Sequence, residues 1–426
     1  MRERAQRRRR RRPAAASLIL AAAAASGVLA ACSGPASDEL VWYINPDTGG
    51  QAAIAKRCST DEYTIKVQEL PQAADQQRIQ LARRLAAGDP AIDLMSLDPP
   101  FTAEFADAGY LADLPEDLVT KLRAQSLKGS VTAATWNGKL VVAPFWTNTQ
   151  ILWYRKSFAK KAGLNMTKPV TWDQIIQAAD KNGGRVGVQA NKYEGYAIWI
   201  NALIAGAGGT LLTNAEKGAD ATITIDSPAG KAAAKVIQTL AHSKAAQPDL
   251  SVSQEGQVLA PFQSDRGAFQ VNWTFVYGTY AGSPTAKDLG WAMYPRTEAD
   301  KPARPPLGGI GIGVNSHSEK VGKAMKAVAC ITSPENQGIY ASTDGNMPAS
   351  AEGYKQPELT KKYPADLLAL FQESVNAAAP RPATPYWSDV SSAIQSSWHP
   401  PSAVNEGTPA KSQKFIEDVL QGRRLL

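Results

Sequence analysis

The chain has 426 residues, with 46 Lys and Arg against 39 Asp and Glu, a formal net charge of +7, three cysteines and three histidines. Eight of the basic residues and one acidic residue lie in the first 12 positions, MRERAQRRRRRR, so 38 of each sign remain and the rest of the chain is neutral. That balance excludes the basic footprint of a nucleic-acid-binding domain. The wide spacing of His242, His317 and His399, with no CxxC pair, excludes a zinc site of ordinary ligand spacing.

Behind the arginines, Ala14 to Ala31 carry no charge. Basic, then apolar, then small is the layout of a secretory signal. The run ends Leu29-Ala30-Ala31-Cys32, which resembles the lipobox of bacterial lipoproteins, whose cysteine receives a diacylglycerol before the leader is cut away. An uncleaved span is the competing reading, since about 18 apolar residues just cross a bilayer. The Ala-rich run closes on Cys32 without a basic stop-transfer cluster, which favours the signal. The expectation is a signal peptide over 1–32, a small polar tether over 33–38, and an exported protein held by lipid at the outer face of the cytoplasmic membrane. Outside the cell, Cys58 and Cys330 are expected to pair as a disulfide, because both fall on expected helices able to pack in one lobe. Two buried free thiols are the alternative.

The roughly 390 residues beyond the leader exceed one ordinary domain and fit two. LVWYIN (40–45) is a short apolar strand, and GGQAAIAKRC (49–58) a helix. YTIKVQEL (63–70) alternates as a half-buried strand. ADQQRIQLARRLAAGD (74–89) is a helix with Ile79, Ala82, Leu85 and Ala86 on one face, closed by Gly88. AIDLMSLD (91–98) is a buried strand with a polar end at Asp98, and FTAEFADAGYLADL (101–114) a helix stopped at Gly109. This βαβαβα run predicts a parallel sheet. Asn137-Gly138 predicts a hairpin, and NTQILWYRK (148–156) a strand. Thr171 and Gln174 form a capping box for a helix carrying Ile175, Ile176 and Ala179. Ser227 caps another that begins at Pro228. GAFQVNW (267–273) and GGIGIGVN (308–315) are strands; the GxGxG of the second does not open a helix and is no dinucleotide loop. TSPENQGIYAST (332–343) is a helix, and the last 75 residues are helices broken by APRPATP and HPPS. The class is α/β.

The ordered series LARRLAAGDPAIDLMSLD, FTAEFADAGYLADL, LWYRKSFAKKAGL, PVTWDQI, SDRGAFQVNW, GGIGIGVNSHSEKVGKAMKAVACITSPENQGIY and GNMPAS resembles the extracellular sugar-binding proteins of ABC importers, the maltose-binding type, over almost the whole chain beyond the leader. LDPPFTAEFADAG, TNTQILWYR, QANKYEGYAIWINALI, VNWTF and RPATPYW resemble the trehalose-binding lipoproteins of that family, which also carry cysteines at the positions of Cys58 and Cys330. The resemblance implies a two-lobed, type II periplasmic-binding-protein-like fold with a hinge crossed more than once, near 144–147, 302–307 and 346–348. Lobe I would comprise 39–145 plus 306–347, and lobe II 146–305 plus 348–426. Ligand would lie in the cleft between the lobes at the carboxyl ends of strands, and the lobes would close on it. The implied role is that of a monomeric, non-catalytic receptor without cofactor or metal. It would bind a disaccharide, trehalose, and deliver it to permease subunits coupled to a cytoplasmic ATPase.

A sugar offers hydroxyls, which suit carboxylates, amides and guanidinium, and a C–H face, which suits an aromatic plate. Asp98, at a strand end before a helix, either caps that helix or meets the ligand. Asn148 follows an expected hinge and Trp273 ends a strand. Arg381 is held between prolines, a preorganised loop. Gly308 and Gly309 would let backbone amides approach the ligand or would mark a bulge. Asn45, Gln76, Tyr193, Glu194 and Glu255 complete the expected ligand-binding set on the strength of the resemblance. The alternatives are an exported glycosidase, which needs two carboxylates roughly 5–9.5 Å apart, and a receptor for another oligosaccharide or a polyamine. A polyamine requires acidic groups in an aromatic box, and Arg381 in the cleft would oppose it.

Overall fold

The computed structural model describes residues 38–426; the expected signal peptide over 1–32, with Cys32, lies outside the described residues. Among the described residues no helix is long and apolar enough to cross a membrane.

The first strands are β1 (Glu39–Ile44), β2 (Thr64–Glu69) and β3 (Leu94–Leu97), linked by α1 (Gly50–Cys58) and α2 (Ala74–Ala86) and followed by α3 (Pro99–Asp107). β1 pairs in parallel with both β2 and β3, the expected βαβαβ unit. The face of α2 differs from the expected one: Leu81 and Leu85 are buried, Ile79 and Ala82 partly, and Ala86 is exposed. A leucine removes far more apolar area from water than an alanine, so the two leucines set the helix rotation.

The sheet continues through β4 (Ala143–Arg155), β5 (Arg185–Gly187), β6 (Gly267–Trp273), β7 (Leu289–Ala292) and β8 (Leu307–Val314). Its order is β2-β1-β3-β8-β4-β6-β5, with β7 also paired to β4. The 13-residue β4 is the shared element. Its first half is antiparallel to β8, its second half to β6 and β7. One sheet half is thus carried by α1–α3 and the other by the segment 156–305. The β8–β4 ladder shifts register between Ile310 and Gly311, a bulge.

The three expected hinge segments come together beside β4. Gly308 and Gly309 pair with Asn148 and Thr147, Thr147 N–H donates to Met347 C=O at 2.8 Å, and Pro306 bridges Ala379. Gly309 has φ +139°, and a Cβ there would stand 2.5 Å from the Trp146 carbonyl oxygen. Backbone strain and overpacking together predict that Gly309→Ala lowers the unfolding free energy by about 3 kcal/mol. A urea titration of wild type and variant checks this.

The second half is filled by α4 (Trp172–Asn182), α5 (Glu194–Gly206) and α6 (Pro228–His242). The Thr171–Gln174 capping box and the Ser227 cap with Pro228 at N1 are both present. α5 is buried on nearly every side; Trp199 packs on Trp172 with centroids 5.4 Å apart, and Trp172 meets Tyr294 at 5.6 Å. In the first half, α7 (Val321–Ile331) and α8 (Pro334–Asp344) pack near α1, where Cys58 and Cys330 are joined in a disulfide. α9 (Trp387–Trp398) lies against α5 and touches α3.

Candidate ligand-binding cleft

Asp98 is the N-cap residue of α3, and its side chain makes no cap hydrogen bond. Pro99 and Pro100 occupy the first two helical positions and carry no N–H. The donor a capping carboxylate would reach at N2 is therefore missing, and the Asp98 carboxylate turns elsewhere. It accepts from Arg381 Nη2 at 2.8 Å, while Arg381 Nη1 donates to Glu194 Oε1 at 2.8 Å. Glu194, the first residue of α5, also accepts from Trp387 Nε1 at 2.9 Å and from the Ser391 hydroxyl. The Arg381 side chain is 4% exposed. One buried cation is thus forked between two carboxylates from separate parts of the chain.

This fork borders a cavity of about 650 Å³, within the roughly 300–1,000 Å³ usual for small-molecule sites. Asp98, Asn148, Trp273, Arg381, Gly308 and Gly309 all line it, as do Asn45, Tyr193, Glu194 and Glu255. Gln76 does not. It is exposed and donates to Asp75 at 3.3 Å, while Gln72, Asp75 and Gln77 take that edge of the cavity. At the start of a helix one residue of offset swings a side chain about 100° around the axis, enough to move Gln76 off the wall.

The wall has two aromatic plates. Trp273 is partly exposed, and its ring edge lies over Gly308, where a Cβ would come within 3.0 Å of Cζ3. Trp146, also partly exposed, stacks on Tyr340 at 6.3 Å, and its indole N–H has no partner. Asn148 has a mainly internal role: its Oδ1 accepts from the Thr274 hydroxyl at 2.6 Å and Thr149 N–H at 2.9 Å, and its Nδ2 donates to Asn346 Oδ1 at 3.2 Å. Asn45 is set by a chain of buried polar groups: Trp42 Nε1 donates to Ser96, Ser96 to Gln51, and Gln51 to the Asn45 carbonyl. Asn45 Oδ1 and the Tyr193 hydroxyl remain unpaired beside the cavity. Gly195 leaves the room for that hydroxyl, since a Cβ there would fall 2.1 Å from it. Unsatisfied groups of this kind are destabilising when buried and are satisfied by a polar guest.

Sequence reasoning missed one face altogether. Ser388, Ser391, Ser392 and Gln395 of α9 line the cavity at i, i+3, i+4 and i+7. That spacing is a legible signal: a stripe of uncharged hydroxyl and amide groups on one helix face. Among the described residues no cluster could hold a metal ion.

Burial pushes the Asp98 carboxyl above its usual range, with Arg381 pulling it down and Glu194 pushing it up. Burial also raises Glu255, against the opposing pull of its own backbone N–H and of the neighbouring Tyr193 and Trp273 side chains. Burial works to lower the Arg381 guanidinium, but Asp98 and Glu194 together hold it above its ordinary value. A raised carboxylate pKa means that the folded state binds a proton the unfolded chain releases. Its contribution to stability is complete below the unfolded value and is lost as pH rises through the folded one. Glu255→Gln, which cannot ionise, should therefore gain stability relative to wild type as pH rises from 5 to 8. Urea midpoints across that range check the sign.

A two-lobed α/β scaffold with a polar and aromatic cavity at the ends of its central strands defines a solute-binding protein. The chain belongs to the bacterial extracellular solute-binding protein family, whose model matches residues 51–338. It is 28% identical to a probable ABC transporter-binding protein of Deinococcus radiodurans over 79% of each chain. Among solved structures it is similar to maltose-bound MalE3 of T. maritima (TM-score 0.75, 24% identity, 91% of this chain and 100% of that one). It is likewise similar to the GacH receptor of Streptomyces glaucescens, solved unliganded and with acarbose (TM-score 0.74, 21% identity, 91% and 98%).

Proposed function

We propose that the protein is the substrate-binding lipoprotein of an ABC importer. It captures a disaccharide, trehalose, between lobe I (39–145 and 306–347) and lobe II (146–305 and 348–426) and hands it unaltered to permease subunits driven by a cytoplasmic ATPase. The observation that carries this reading is the buried Asp98–Arg381–Glu194 fork beside Trp273 in one cavity. Preorganised carboxylates accept sugar hydroxyls, and the indole covers a C–H face. The relative in D. radiodurans, named an ABC transporter-binding protein, and the maltose-bound neighbour support the importer and sugar classes. Trehalose is selected by the resemblance of QANKYEGYAIWINALI, VNWTF and RPATPYW to the trehalose-binding lipoprotein LpqY. Cys32 is the anchor in this reading.

The same fork disfavours hydrolysis by Asp98 and Glu194. A glycosidase needs a protonated acid and a second free carboxylate, whereas these two are both engaged with Arg381. Calorimetry of the mature protein with trehalose, maltose, sucrose and glucose tests the proposal. Asp98→Ala and Trp273→Ala should each weaken the best ligand by at least about tenfold, or about 1.4 kcal/mol. Absence of binding by all four sugars, or glucose released from trehalose, would overturn it.

A further inference from the structure

The charge around the cavity is unevenly compensated. Asp75, Asp98, Glu194 and Glu255 face it against Lys192 and Arg381. Arg381 is fully engaged by Asp98 and Glu194, so it does not oppose a cation elsewhere in the cleft. Glu255 differs from those two. Its backbone carbonyl accepts from Asn272 Nδ2 at 3.1 Å, which fixes the loop. The groups that share its stretch of the cavity wall, the Tyr193 phenol and the Trp273 indole, are neutral. Among the described residues no cation forms a salt bridge with it. The Tyr193 hydroxyl, buried and lining the same wall, has no well-formed hydrogen bond.

A carboxylate without a counter-ion, flanked by a phenol and an indole, is the composition that recognises an ammonium group: a charge-assisted hydrogen bond on one side and an aromatic face on the other. A neutral hydroxyl gains only the weaker hydrogen bond. A phosphate ester brought to the same place would meet Glu255 and Glu194 as like charges.

Resting on the sugar-receptor reading, we propose that Glu255, Tyr193 and Trp273 form a subsite for a protonated amine carried by the sugar. The receptor then takes amino-substituted disaccharides in preference to their neutral parents and rejects their phosphate esters.

The test is calorimetry at pH 7 of the mature protein with trehalose, its 2-amino and 6-amino derivatives, its 6-phosphate, and spermidine. At least one amino derivative should bind about tenfold more tightly than trehalose, and the phosphate at least about tenfold more weakly. In Glu255→Gln the ratio of amine to parent affinity should fall to about one. Melting curves verify that the variant folds, and the wild-type ratios decide the matter if it does not. If trehalose binds but neither amine binds more tightly, or if the preference survives in Glu255→Gln, the subsite is overturned while the receptor reading stands. If spermidine alone binds, the receptor reading falls and the sugar-amine subsite with it.

Discussion

Arg381→Met is expected to weaken binding of the proposed disaccharide by at least about a hundredfold, or about 2.8 kcal/mol, and to lower the unfolding free energy by about 3–5 kcal/mol. The second figure follows from burial. Arg381 is almost inaccessible and stands between two carboxylates at 2.8 Å each. Its removal leaves two anions facing each other without their counter-ion. Lysine is no remedy, because an ammonium lacks the planar fork that reaches Asp98 and Glu194 together. The two effects separate in the triple variant Arg381→Met, Asp98→Asn, Glu194→Gln. Removing the whole charged set should restore most of the stability, since buried ion pairs contribute little net free energy over neutral replacements, but should not restore binding. Urea unfolding reads the first effect and calorimetry the second. Binding recovered in the triple variant would show that the fork holds the fold and nothing more.

Replacing Cys58 and Cys330 by serine is expected to lower the unfolding free energy by about 2–5 kcal/mol, toward the upper end because the closed loop is long. The bond joins residues 272 apart. It sits where α1, α7 and α8 meet, and Asn336 gathers all three. Asn336 Nδ2 donates to the Cys330 carbonyl at 2.8 Å and lies 3.3 and 3.4 Å from the two sulfurs, and its Oδ1 accepts from Arg57 Nε at 3.0 Å. Calorimetric melting with and without a reductant, beside the double serine variant, measures the loss. Neither Cys58 nor Cys330 lines the cavity, so sugar affinity at 25 °C should stay within about twofold. Equal melting temperatures would remove the bond from the account of stability.

The elements with a strong local code were readable. The capping box at Thr171, the Ser227–Pro228 start and the Asn137-Gly138 hairpin appear where their chemistry puts them, because each is settled by atoms within a few residues. α5 carried no amphipathic signal, since it is buried on nearly every side and its composition is apolar throughout. β5 and β7 are three and four residues long and gain their state from pairing with β6 and β4. In the cleft, Asp98 was legible as a strand-end carboxylate, but its release from capping needed the observation that Pro99 and Pro100 offer no donor. Asn148 was placed on the wall, yet its side chain is committed to Thr274 and Asn346. The α9 stripe was written in the sequence at helical spacing and passed unread, because serine and glutamine on a helix ordinarily face water.

The Cys58–Cys330 bond encloses everything from α1 to α7 in one covalent ring, including the whole segment 156–305 that carries the second half of the sheet. A protease cutting one exposed loop inside that ring opens the backbone without freeing either fragment. For a receptor working outside the cell, nicked molecules stay in one piece, and cleavage becomes visible on a gel only after reduction.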